Sequence, residues 1–123
     1  MEIGVQQPDR LTLRLSRGEL RQWNNALNEV CNGFSVANFQ AAIGISQEMA
    51  IGLLDRVHSL PPDQPAVFLL EEVLAVRNAL TAILAELDPE EFHTRTGSTV
   101  EEARQMRNAL DELTGQMRFV KTA

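Results

Sequence analysis

Offset by 53 residues, the chain aligns with itself. Glu19 to Leu60 falls on Glu72 to Leu113 without a gap, and nine positions are identical. About two or three identities would be expected by chance from ordinary composition. The matched residues are Glu19 with Glu72, Asn25-Ala26-Leu27 with Asn78-Ala79-Leu80, Phe39 with Phe92, Gly44 with Gly97, Glu48 with Glu101, Ala50 with Ala103, and Leu60 with Leu113. A duplicated sequence must place like apolar faces in like environments, so the repeat constrains the fold more than any local motif does.

Each copy begins with an amphipathic helix. Leu20, Trp23, Leu27, Val30, Cys31 and Phe34 fall opposite Val73, Val76, Leu80, Ile83, Leu84 and Leu87, with spacings of 0, 3, 7, 10, 11 and 14. That is the apolar stripe of a helix with one buried side. Ser16 followed by Glu19 marks the first helix start, Gly33 lies near its end, and Pro65 is placed to open the second copy. A second helix follows in each copy, N-capped by Ser46 or Thr99. Its stripe is Ala50, Leu53, Val57, Leu60 in one copy and Ala103, Met106, Leu110, Leu113 in the other.

Ahead of the first helix, Leu11-Thr12-Leu13-Arg14-Leu15 alternates apolar and polar residues as a half-buried strand does. The offset sets Gln64 to Phe68 against it as an antiparallel partner, with Met117 to Val120 as another candidate. The expected fold is therefore mainly α. Four main helices form two tandem helix-turn-helix-like repeats of period 53, with pseudo-two-fold symmetry and a short antiparallel β-ribbon. One domain spans 1–123: repeat one at about 11–60, a proline-rich linker at 61–65, repeat two at about 66–113, and a C-terminal tail at 114–123.

Composition narrows the function. The net charge of −6 opposes phosphate binding, and the excess sits after Pro61, where eleven acidic residues meet six basic ones. Apolar runs fall far short of the ~20 residues of a membrane span. Met1 to Arg10 does not read as a secretory signal, and the single cysteine fits a reducing compartment, so the expected location is the cytoplasm.

Few residues offer chemistry. Asp55 with His58, and Glu90 with His93, have the one-turn acid and histidine spacing of metal-binding bundles, but they occupy unlike positions in the repeat. Cys31 holds a core position and reads as a buried, inert thiol. Gly44-Ile45-Ser46 and Gly97-Ser98-Thr99 resemble the turn of a helix-turn-helix, yet the helix after Ser46 opens without Lys or Arg to meet phosphates. No phosphate loop, zinc ligand set or nucleophile elbow is present. Neither catalysis, nor a cofactor, nor a metal is expected.

Asn25, Leu27, Phe39 and Gly44, with Asn78, Leu80, Phe92 and Gly97, are assigned to architecture because both copies carry them. Asn is a poor residue inside a helix unless its amide has a partner, so Asn25 and Asn78 should each tie a long helix to a Phe-to-Gly segment. Asn24, Asn28 and Asn32 occur only in the first copy and, with Asn25 and Trp23, make the candidate binding face. The functional expectation is a small acidic non-enzymatic protein-interaction module, of inhibitor, immunity or accessory type. It would take a protein partner of basic character or form a homodimer. Its rivals are a transcription-regulator-like protein with a degenerate helix-turn-helix and a metal-binding helical protein.

Overall fold

The computed structural model describes residues 1–122 of the backbone, with side-chain environments through residue 117. It is mainly helical, with six α-helices and a three-stranded antiparallel sheet among the described residues. In chain order these are β1 (Glu2–Gln6), β2 (Arg10–Arg14), α1 (Arg17–Asn28), α2 (Phe39–Ile43), α3 (Gln47–Ser59), β3 (Pro65–Leu69), α4 (Leu70–Glu86), α5 (Pro89–Thr96) and α6 (Val100–Thr122). A π-helical turn, Glu29–Gly33, extends α1.

The sheet order is β1-β2-β3. The strand expected at Leu11 to Leu15 is β2, and its antiparallel partner is β3, with Thr12 opposite Val67 at the centre of the ladder and Leu13 opposite Ala66 beside it. Leu11, Leu13 and Phe68 point into the core, while Arg10, Arg14 and Val67 stay outside, as strand alternation requires. Pro65 opens β3 rather than a helix. It sits at the first position of an outer strand, where its missing N–H costs no ladder bond.

The helices start where their caps put them. Ser16 and Glu19 complete a reciprocal box at α1, Ser46 Oγ accepts from the Met49 N–H at α3, and Thr99 with Glu102 caps α6. At α4 only half the box survives, the Leu69 N–H donating to Glu72 Oε1 at 2.8 Å, because leucine has no side-chain acceptor to return. Gly44 and Gly97 end α2 and α5 with φ of 100° and 71°, backbone that a residue with a Cβ adopts only under strain.

Three boundaries differ from the sequence reading. The strand β1 was not anticipated. The tail at 114–123 is helix as far as Thr122, so Met117 to Val120 is not a strand. The reason is that Met117 continues the stripe of Ala103, Met106, Leu110 and Leu113 into the core, which holds the helix down beyond Leu113. The Phe-to-Gly segments are themselves the short helices α2 and α5. One core unites the layers: α1 packs on α3, α4 on α6, and α1 meets α4, with the sheet covering Trp23 through Phe68.

Candidate functional site

The five residues of the candidate binding face are divided among different tasks. Trp23 is 0% exposed and stacks at a tilt on Phe68, ring centroids 5.1 Å apart, so it belongs to the core. Asn25 Nδ2 donates to the Thr96 carbonyl at 2.5 Å, and Asn28 and Asn32 hydrogen-bond to each other one turn apart on the exposed side. Only Asn24 is uncommitted. Its Oδ1 is sealed from solvent without a donor, and the residue lines a cleft between α1 and the end of α3.

The structural asparagines act as a reciprocal pair. Asn25 of α1 reaches the end of α5, and Asn78 of α4 donates to the Ile43 carbonyl at the end of α2, at 2.8 Å. Each amide meets a carbonyl in the last turn of a short helix, just before its left-handed glycine, where no intrahelical donor exists. Leu27, Leu80 and Phe92 lie fully buried, and Phe39 is half-buried against the same core.

A second tie was not foreseen. Glu29, only 5% exposed, takes a two-pronged ion pair from Arg95 of α5, with Nε to Oε1 at 2.7 Å and Nη2 to Oε2 at 3.0 Å. Arg95 Nη2 also donates to the Gly33 carbonyl at 2.9 Å. The hydrogen bond to Glu29, more than the opposing burial, raises the Arg95 pKa above its ordinary value. A Cβ on Gly33 would run into the Glu29 carboxylate and the Arg95 guanidinium, so the ion pair keeps its geometry only with glycine there. The residues aligned with them at the offset of 53, Ala82 and Ala42, carry no charge, and that difference between the aligned segments is the signal in the sequence.

The chemical candidates stay dispersed. Among the described residues no three of His, Cys, Asp and Glu converge as metal ligands would. Burial pushes the Cys31 thiol up, away from the reactive thiolate. On α3 the exposed residues include Glu48, Met49, Ile51 and Asp55, while Arg56 is paired with Glu72 and lies over the Phe68 ring. That is a poor surface for DNA phosphates. No helix among the described residues is long and apolar enough to cross a membrane.

One surface feature stands apart. β1 pairs with β2 on one side only, and Ile3 and Val5 are 42% and 67% exposed. Ile3 lies opposite Leu13, on the face that the helices cover under β2, but at β1 that cover runs out. The hairpin was legible in the Ile3, Val5 alternation followed by Gln7-Pro8-Asp9 turn residues.

No family model, curated protein or solved structure matches this chain.

Proposed function

We propose that the chain is a small acidic, non-enzymatic protein-interaction module, duplicated internally, that assembles with a second copy through β1. The observation carrying this reading is the unpaired β1 edge with Ile3 and Val5 exposed beside it. An open edge of backbone donors and acceptors templates another strand. β1 is also self-complementary in sequence: in an antiparallel pair centred on Gly4, Ile3 faces Val5 of the second copy and Glu2 faces Gln6 rather than another carboxylate, a pairing that requires the register irregularity between Ile3 and Gln6 to straighten on assembly. The product is a continuous six-stranded sheet with four apolar side chains gathered at its middle. The acidic second half remains free to meet a basic protein.

The duplication rests on relations that the offset of 53 maps onto one another. Asn25 to Thr96 maps onto Asn78 to Ile43, and the β2–β3 ladder contains a pair 53 apart, Leu13 opposite Ala66, one position from its centre. Gly44 and Gly97 share the same left-handed cap.

Sedimentation equilibrium tests the assembly. The parent is expected at twice 13.7 kDa and Ile3→Lys/Val5→Lys at 13.7 kDa, with matching circular dichroism. A parent chain that stays monomeric at about 100 μM, a weak affinity even for transient contacts, refutes self-assembly.

A further inference from the structure

The cleft beside Asn24 gathers two arginines that make no ion pair among the described residues, on an acidic protein. It encloses about 300 Å³ between the start of α1 and the end of α3. Arg17 and Arg21, one turn apart on α1, share its wall with His58, and no acidic side chain lines it. Elsewhere Arg10, Arg14, Arg56, Arg77 and Arg95 stand in ion pairs, and of the other described arginines Arg104 and Arg107 of α6 do not line this cleft. Nearby Glu19 is occupied by the Met1 ammonium and the Ser16 N–H.

The rest of the lining is apolar, from Leu20, Leu60 and Pro62, together with the Asn24 amide whose oxygen lacks a donor. The positions 53 residues on remove every one of these polar features. Arg17 and Arg21 become Leu70 and Leu74, and Asn24 and His58 become Arg77 and Asp111, which close on each other as an ion pair at 2.9 Å. A basic cleft in one copy only is a specialisation rather than a consequence of the architecture.

We propose that this cleft binds an apolar acyl amino acid carboxylate, of the kind carried by a peptide C-terminus or a free N-acyl amino acid. Guanidinium forks suit a carboxylate. Asn24, whose donorless oxygen is sealed from solvent in the empty cleft, would turn that oxygen outward to accept from the amide N–H beside the carboxylate, and an apolar side chain suits Leu20, Leu60 and Pro62. The site is separate from β1, so it stands or falls independently of self-assembly.

Isothermal titration at low salt, with N-acetyl-leucine, its carboxamide, a tripeptide acid ending in leucine, and inorganic phosphate, tests the assignment. The acid is expected to bind saturably and the carboxamide about tenfold more weakly or not at all, since a charge-assisted contact is lost. Arg17→Gln/Arg21→Gln should abolish binding. Arg104→Gln/Arg107→Gln, on the far helix α6, and the Ile3→Lys/Val5→Lys variant should retain it. A tripeptide that binds more tightly than acetyl-leucine assigns the source to a peptide terminus, and equal affinity assigns it to a free acyl amino acid. No saturable binding of either acid up to about 10 mM, equal binding of the carboxamide, phosphate binding as tight as the acid, or indifference to Arg17→Gln/Arg21→Gln overturns the proposal.

Discussion

Replacing Asn25 and Asn78 by alanine, singly and together, probes the tie between the two halves. Each substitution removes the amide donor from a part-buried carbonyl, Thr96 in one case and Ile43 in the other. An orphaned, partly buried acceptor costs about 1–3 kcal/mol. Alanine returns roughly 0.5–0.7 kcal/mol of helix propensity at a mid-helix site, so each single change should cost about 1 kcal/mol. The two amides share no hydrogen-bond partner, so the double variant should lose about 2 kcal/mol, additive within ~0.5 kcal/mol. Urea unfolding followed by circular dichroism reads this directly. At a slope of about 1–2 kcal/mol per molar, each single variant shifts the midpoint by roughly half to one molar. Asn25→Asp and Asn78→Asp should be worse than alanine, because they set an acceptor against an acceptor. If one site costs nothing measurable while the other costs more than ~1.5 kcal/mol, the two amides are not equivalent ties, and the reciprocal reasoning fails.

Arg95→Ala should lower the melting temperature, because it leaves the buried Glu29 carboxylate without its partner. The Glu29→Ala/Arg95→Ala double variant should recover much of that loss in a thermal melt, since no carboxylate is then stranded. Gly33→Ala and Gly52→Ala should have opposite signs in the same melt. The first drives a Cβ into Glu29, whereas the second meets nothing within 4 Å in the middle of α3 and should gain roughly 0.5–1 kcal/mol. Burial alone would raise the Glu19 pKa, but the Met1 ammonium and Ser16 hold it below the ordinary carboxylate value. Its contribution is therefore present above the unfolded value of about 4.3 and is lost as pH falls toward the lower folded value. Glu19→Gln should flatten that acidic limb of stability against pH, and an unchanged limb would show that Glu19 does not set it.

What could be read in advance was periodic or local. Helix stripes at Leu20 to Phe34 and Val73 to Leu87, the caps at Ser16, Ser46 and Thr99, and the strand at Leu11 to Leu15 all depend on residues near one another in the chain. Their recurrence at the offset also tied Asn25 and Asn78 to the Phe-to-Gly segments, without saying which carbonyl each amide meets. The candidate face was less legible. Five residues close together on one helix look like one surface, but helix geometry distributes neighbours in sequence around the axis. Trp23 therefore turned to the core, Asn25 to α5 and Asn28 to solvent.

By itself the sequence determined the secondary structure of most of the chain, the charge balance and the internal correspondence, because propensity, capping and apolar period act over a few residues. Only the tertiary structure decided that the amides cross between halves, that Arg95 closes on Glu29 from 66 positions away, and that β1 is left with an open edge. It also decided that Arg17, Arg21, Asn24 and His58 share one cleft. Such pairings depend on which faces the collapsing core brings together, and no spacing along the chain encodes the distance between two surfaces.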